Sequence, residues 1–227
     1  MSAFPQSSPP DALPNALVAS PDRQAATVED IRFRALLGEE AWAQLPEAVR
    51  RRFSKRLAPG QTIVYSGEVE ATSLSWAGRL LSFLARAIGA PLPLTNGATG
   101  PALVIVSEDE RLGGQCWLRI YNRPGRFPQA IHSAKRFRGP TGLEEYVGRG
   151  IGMELRVTVE GEVLVFRSAR YFLALGNWRL PIPRLFSPGQ MTIEHRDLGA
   201  GSFAFSLELT NAVLGRLVWQ LARFRDA

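Results

Sequence analysis

Few residues in this sequence have side chains and spacings that support chemistry. The chain contains two histidines, His132 and His195, and a single cysteine, Cys116. Because a metal site needs three or four converging ligands, we expect neither a metal ion nor a cofactor. Each histidine is a weak candidate for a general base, since imidazole exchanges a proton near neutral pH. These residues therefore form no recognisable catalytic motif.

The acidic residues and the cysteine also give no reacting pair. Glu144 and Glu145 are adjacent on an expected strand, so their side chains point to opposite faces and form no acid–base pair. Cys116 precedes Trp117 on another expected strand, and a nucleophilic thiol needs a nearby base. We expect Cys116 to be a small buried residue.

The chemistry that the sequence favours is the binding of an apolar or amphipathic small molecule. Aromatic side chains recur on the expected strands, and small-molecule sites are mostly apolar clefts with a few polar groups. Arg119 or Arg136 would meet the acidic head group of a ligand of lipid, isoprenoid or polyketide size. The candidate ligand-binding residues are Trp117, Arg119, Tyr121, His132, Tyr146, Phe166, Trp178 and Phe205.

Two other functions stay open. The first is a cofactor-independent cyclase, isomerase or hydratase that uses His132 or His195 in the same cavity. The second is an accessory domain that supports a separately encoded reductase through protein contact. Nucleic-acid binding is not expected: Trp117, Arg119 and Tyr121 share one strand face, but no other strand extends this face into a stacking platform.

Alternation of apolar and polar residues predicts the elements that position these side chains. Met153, Leu155 and Val157, for example, alternate with charged or polar neighbours, as on a strand with one buried face. Such segments in series predict an α+β fold that is mainly antiparallel β, with a strongly curved sheet or an incomplete barrel. The analogy with lipocalins and fatty-acid-binding proteins concerns topology alone. The expected strands lie near 61–71, 102–107, 115–122, 129–137, 143–148, 151–160, 162–173, 190–197, 202–210 and 215–222.

Two or three helices are expected near the N-terminus. Helical spacing runs through residues 30–53 and again through 73–89. In the second segment Trp76, Leu80 and Phe83 form an apolar face, and arginines lie on the opposite face. We expect this apolar face to pack against the sheet, although such a helix also suits peripheral contact with a membrane surface.

The remaining segments set the domain boundaries and the expected location. Residues 1–27 are rich in Pro, Ser, Ala and Asp, so we expect a disordered tail before a single domain at 28–227.

Residues 175–189 are apolar but contain three prolines, which rule out a central strand and indicate a plug over the core or a lid at its rim. The net charge of +6 comes almost wholly from arginine. With no signal peptide or membrane span in the pattern, we expect a cytoplasmic protein.

Glycines, prolines and apolar positions recur in motifs such as Phe33-Arg34-Ala35-Leu36-Leu37-Gly38, Gly67-Glu68-Val69, Leu180-Pro181-Ile182-Pro183 and Leu214-Gly215-Arg216. Together these motifs resemble an uncharacterised bacterial family, the domain of unknown function 4166. The resemblance covers roughly residues 31–224. Its motifs are specific to a fold and say nothing about chemistry.

In that family the domain is sometimes joined to a nucleotide-binding, reductase-like module, which makes a reductase a candidate partner. No Gly-x-Gly-x-x-Gly follows a strand in this chain, and the glycine-rich run at 148–152 lies between two expected strands, where it predicts a bend. Relatives tend to have His-Pro where this chain has Asn211-Ala212. A catalytic role for that histidine would therefore be missing here.

Overall fold

A computed structural model describes residues 28–226 apart from positions 90, 110, 124 and 177. The predicted tail, residues 1–27, lies outside the described residues. Helical spacing gives three short helices before the main sheet, because Gly38 and Pro46 interrupt the segment 30–53, and one longer helix after its first long strand. The described α-helices are α1 (Arg32–Leu37), α2 (Glu39–Gln44), α3 (Glu47–Phe53) and α4 (Trp76–Leu84).

The predicted strands are present, with a longer first strand and two short additions before it. The described strands are β1 (Val28–Glu29), β2 (Lys55–Arg56), β3 (Thr62–Leu74), β4 (Gly100–Glu108), β5 (Gln115–Tyr121), β6 (Gln129–Arg136), β7 (Glu144–Gly148), β8 (Ile151–Glu160), β9 (Val163–Leu175), β10 (Trp178–Pro181), β11 (Gln190–Gly199), β12 (Ser202–Asn211) and β13 (Gly215–Arg225).

Within the described residues, ten antiparallel strands close into a barrel. Their order is β9-β11-β12-β13-β3-β4-β5-β6-β7-β8, and β8 pairs back onto β9 to complete the ring. The mainly antiparallel fold is confirmed, and the barrel is closed rather than incomplete. The helix inserted between β3 and β4 is consistent with the lipocalin-like analogy. No helix in the described part of the chain is long and apolar enough to cross a membrane.

Helices α1 to α3 close one end of the barrel with aromatic side chains. Phe33 is fully buried, and its ring lies 5.1 Å from that of Phe53, 5.0 Å from that of Phe137 and 6.1 Å from that of Phe166. These edge-to-face contacts join the helices to β9 and to the segment before β7. The helical end is therefore a packed apolar plug.

The opposite end of the barrel, which we call the mouth, is crossed by α4 and by the 3₁₀ helix Ala85–Ile88 that continues it. We call Trp76–Ile88 the lid helix. At its start the Ser75 N–H donates to the Leu217 carbonyl on β13 at 3.0 Å, and near its end the Ile88 carbonyl accepts from the Arg149 N–H at 2.9 Å. Because β13 and β7 are five places apart in the ring of ten, the lid helix spans the mouth.

The prediction that the large apolar residues of this helix pack against the sheet is wrong. Its buried residues are the small ones, Ala77, Gly78, Ser82 and Ala85. At Gly78 a Cβ atom would overlap the Leu217 carbonyl, so the backbones approach too closely for a larger side chain. Trp76, Leu80, Phe83 and Leu84 consequently face outward and are exposed.

Apart from Leu175, the last residue of β9, segment 175–189 lies outside the ring and does not plug the core. Its residues 178–181 form β10, which pairs with the last residues of β9 as an edge strand. Pro181 ends this strand, as expected for a residue without a backbone donor. Leu175, Leu185 and Phe186 are exposed. The expected plug over the core is therefore not formed.

Replacing Phe33 with alanine should lower the free energy of unfolding by about 3–5 kcal/mol, because it removes a fully buried ring that three other rings contact. Urea unfolding followed by circular dichroism would measure the change. Ile31→Ala, two residues before Phe33 and 60% exposed, is the matched control and should change stability by less than about 0.5 kcal/mol. Equal losses in the two variants would contradict the packed plug.

Candidate functional site

A pocket of about 80 Å³ lies inside the barrel. It runs from Phe53, on the helical plug, to Pro91 and Pro93, which follow the lid helix at the mouth. Strand residues of alternating parity line it, because every second side chain of a barrel strand points inward. The apolar part of the wall includes Val104, Trp117, Tyr121, Ile131, Val147, Met153, Phe166, Met191, Ile193, Phe205 and Leu207.

Three charged side chains converge in this largely apolar wall. Lys135 Nζ donates to Glu145 Oε1 at 3.2 Å, and an Arg119 Nη2 lies 3.5 Å from the same oxygen. The other Arg119 amino group donates to Ser133 Oγ at 3.0 Å. Lys135 and Glu145 are almost wholly buried, and the Lys135 ammonium lies 4.6 Å from the ring centre of Trp117. One carboxylate thus serves two cations.

The pKa values of the buried pair follow from this imbalance. Desolvation alone would raise the pKa of Glu145, but Lys135, Arg119 and hydrogen bonds outweigh it and lower the pKa to about 2. Desolvation lowers the pKa of Lys135, and the neighbouring Arg119 charge acts in the same direction against the attraction of Glu145. The carboxylate is firmly ionised, and the cations are incompletely compensated.

Six of the eight predicted ligand-binding residues border the pocket. Trp117, Arg119 and Tyr121 share the inward face of β5. The strand face that we considered for nucleic-acid stacking therefore points into the barrel. Phe166 and Phe205 lie on other walls. Whether these residues bind a ligand stays a prediction.

His132 borders the pocket, but its side chain does not point into it. His132 is exposed and alternates on β6 with the buried residues Ile131 and Ser133, which places its imidazole on the outer face. Its candidacy as a base inside the barrel is therefore wrong.

Tyr146 and Trp178 lie outside the pocket, so the structure corrects these two positions. Tyr146 is on the outer face of β7, where its hydroxyl donates to Glu144 Oε2 at 2.7 Å. Trp178 begins the edge strand β10 and is 75% exposed. Arg136, the alternative partner for an acidic head group, also points outward, with its guanidinium 4.2 Å from the ring centre of Tyr146.

His195 lies inside the barrel, against a second cavity of about 30 Å³ that Arg52 and Tyr65 also border. Its ring is stacked on Phe203 at 5.0 Å and meets Phe205 edge-on at 4.8 Å. Burial, with the nearby Arg52 charge, lowers the pKa of His195 to about 3. Such an imidazole is neutral at physiological pH and a weak base. The two histidines lie on opposite sides of the barrel wall and do not face each other.

The described part of the chain offers neither a metal-binding cluster nor a reactive thiol. No three His, Cys, Asp or Glu side chains converge there as ligands for a metal ion. Cys116 is half-buried, and its pKa is raised, chiefly by burial, so it is a poor source of thiolate. It is less buried than predicted because Trp117 takes the inward position beside it.

Sequence reasoning missed Lys135 and Glu145 as a pair in the pocket. The signal was available, because Lys135 lies two and four residues after Ser133 and Ile131 on an expected strand and so shares their face, where its charge is buried. The opposite orientation of the two adjacent glutamates was predicted: Glu145 points inward, while Glu144 is buried on the outer face against Arg138 and Arg179.

Comparison with known proteins agrees with the resemblance found in the sequence. Residues 45–224 match the domain of unknown function DUF4166. The chain belongs to this family. A search of curated proteins gives no match.

Among solved structures, the chain is similar to the crystal structure of a bifunctional dehydratase-cyclase domain in ambruticin biosynthesis. The two are 16% identical over 76% of this chain and 93% of that chain, with a TM-score of 0.23. A likeness at this level carries no argument about the function of this DUF4166 domain.

Glu145→Gln should destabilise the domain by about 3–5 kcal/mol at neutral pH, because it leaves two cations in the pocket without their anion. The folded pKa of about 2 lies below the ordinary 4.5, so the carboxylate stabilises the fold fully above about pH 4.5 and progressively less toward pH 2. Urea unfolding at pH 7 and at about pH 2.5 should show the gap between variant and wild type narrowing. Glu162→Gln, at an exposed turn, is the control. A gap that is small at pH 7, or that does not depend on pH, would contradict the buried pair.

His195→Phe should flatten the pH dependence of stability between about pH 6.5 and pH 3. The folded pKa of about 3 lies below the ordinary 6.5, so the unfolded chain binds the extra proton and wild-type stability falls with falling pH, by up to roughly 1.4 kcal/mol per unit. Thermal unfolding across this range would measure the slope. His132→Phe, exposed on β6, should keep the wild-type slope; identical slopes in all three proteins would refute the buried neutral imidazole.

Proposed function

We propose that this domain binds an amphipathic anion, such as a fatty acid or another carboxylate with an apolar tail, inside the barrel. Arg119 contacts the anionic head, and the apolar wall contacts the tail. The observation that carries this proposal is the cluster of Arg119, Lys135 and Glu145 in a pocket whose other walls are largely apolar.

The charge of the cluster supports an anion rather than a neutral or cationic ligand. With Lys135 protonated, two cations share one carboxylate, which leaves one positive charge in a water-poor environment. Arg119 is the cation best placed to bind a further group, because its 3.5 Å separation from Glu145 is long for a charge-assisted hydrogen bond. A ligand carboxylate would supply the missing negative charge.

The position of Arg119 supports entry of the ligand from the mouth. Tyr121, the last residue of β5, lies at the mouth end, and Arg119 is two residues deeper, about 7 Å along the strand. Lys135 and Glu145 lie further toward the helical plug, since the ends of β6 and β7 that carry them are remote from the lid helix. A head group that passes Tyr121 therefore reaches Arg119 first.

The size of the pocket limits what it holds in this conformation. At about 80 Å³ it is smaller than the cavity of ~150 Å³ that binds benzene in an engineered protein. It accepts a carboxylate and a short stretch of chain without rearrangement. Met153 and Met191 line it, and their unbranched side chains can repack around a longer tail.

An enzyme acting in the same cavity is the weaker proposal. Its histidine base is missing from the pocket, because the His132 imidazole points outward and the pKa of His195 is too low for efficient proton transfer near pH 7. Acid–base chemistry would have to use Lys135 and Glu145, which are bonded to each other. Ligand binding does not require Lys135 and Glu145 to separate from each other.

Arg119→Met should weaken binding of a fluorescent fatty acid by at least about tenfold, because a charge-assisted hydrogen bond to the carboxylate is lost. Binding of the matching fatty alcohol should change little. Both probes would be titrated below their micelle concentrations into the full chain, with probe fluorescence as the readout and thermal unfolding as a check on the fold.

Arg156→Met is the matched control, since Arg156 is exposed on the outer face of β8. It should leave the affinity for both probes at the wild-type value. A wild-type protein that binds neither probe, or an Arg119→Met variant that binds the fatty acid as tightly as wild type does, would overturn the proposal.

A further inference from the structure

The outward side of the lid helix is an unpartnered apolar face. Trp76 is 72% exposed, Leu80 53%, Phe83 62% and Leu84 59%. Large apolar side chains stabilise a protein when they are buried, so this face contributes little to the stability of the isolated chain. Contiguous apolar surface of this kind marks an interaction site.

Other exposed apolar side chains lie at the same end of the barrel. The connections at the mouth are the lid segment, the β5–β6 loop, the β7–β8 turn, the β9–β11 connection and the β12–β13 turn, as the strand pairings require. Phe127, Trp178, Phe186 and Val213 lie in these connections, and each is at least 75% exposed. The apolar surface thus extends around the mouth and is not confined to one helix.

The charge of this end has one sign. The connecting segments 75–99, 122–128, 149–150, 176–189 and 212–214 contain seven arginines and not one Asp or Glu. The helices and turns at the opposite end carry both signs, because their arginines are interspersed with acidic residues. Arg179 pairs with the buried Glu144, but arginines still outnumber acidic residues at this end. A surface that combines large apolar side chains with an excess of arginines is complementary to an anionic lipid surface.

We infer that the mouth of the barrel docks onto an anionic membrane surface, with the lid helix at the interface. Trp76 and Phe83 enter the boundary between head groups and acyl chains, where aromatic rings are favoured. Arg79 and Arg86 are exposed on the same helix and meet the lipid phosphates. This docking does not rest on ligand binding inside the barrel.

A lipid surface fits better than a protein partner for two reasons. Protein interfaces pair arginines with acidic residues and bury apolar side chains into shaped pockets, whereas an anionic bilayer accepts scattered arginines and protruding rings without a fixed geometry. The exposed apolar side chains also protrude from four separate connections rather than lining one groove. A reductase partner, or a second copy of this chain, remains as an outcome of the test.

The full chain would be sedimented with vesicles of phosphatidylcholine alone and with vesicles that contain about one-third phosphatidylglycerol. We expect binding to the anionic vesicles that weakens as salt rises from about 0.1 M to about 0.5 M. Trp76→Ser combined with Phe83→Ser should lower the partition coefficient at least about tenfold. Arg79→Gln and Arg86→Gln should each lower it about fivefold on anionic vesicles.

Ile31→Ser combined with Leu112→Ser is the matched control, because both residues are exposed at the opposite end of the barrel. This control should bind vesicles like wild type, and sedimentation velocity should show a monomer that the substitutions do not change. Absence of vesicle binding, or equal loss in the control, would overturn the inference. Self-association that Trp76→Ser abolishes, in a protein that binds no vesicles, would also overturn it and would assign the face to a protein contact.

Discussion

Strand β9 closes the barrel, because it pairs with β8 along most of its length and with β11 over residues 164–167. Without this double pairing the sheet would have two free edges, and its concave face would be open to solvent. Closure gives every strand an inner and an outer side chain row, since successive residues alternate. Any polar residue of the inner parity must then find its partner inside.

The cluster of Arg119, Lys135 and Glu145 is the direct consequence of closure. All three have inner parity on neighbouring strands β5, β6 and β7, so the register of these strands brings them together. Desolvation of a lysine or a carboxylate costs several kcal/mol, and apolar residues in these places would give equal or greater stability. A costly and incompletely compensated group of charges in an apolar pocket is therefore the observation that supports our proposal of an anionic ligand.

Much of the fold could be predicted from the alternation of apolar and polar residues, but the direction of each row could not. Alternation placed Trp117, Arg119 and Tyr121 on one face, and the structure puts that face inside. Alternation also places Tyr146 and Glu145 on opposite faces of β7. The sequence alone does not say which of these two faces points into the barrel. Outer residues such as Tyr146 are half-buried by arginines, so their composition imitates that of an inner row.

The lid helix shows a different limit of sequence reasoning. Its large apolar residues form the more hydrophobic of its two faces, and such a face is normally buried. The face that packs carries Gly78 and Ser82 instead, because the helix lies against the backbone of β13 too closely for larger side chains. A glycine within a helix lowers helix stability relative to alanine, so Gly78, in the first turn of α4, was the signal of a close approach.

The two ends of the barrel therefore differ in whether their apolar side chains are buried or exposed. At the helical end Phe33 and its partners bury their rings completely, and Arg52 bonds to Asp197 and Asp226 to tie α3 to the strands. At the mouth comparable rings are exposed to water, in connections that contain arginines and no acidic residue. Since the same chain buries its rings fully at one end, the exposure at the other is not a shortage of packing capacity. The helix that spans the entrance to the pocket has its small residues toward the barrel and its large ones outward, which supports our inference that it contacts a membrane surface as well as the barrel.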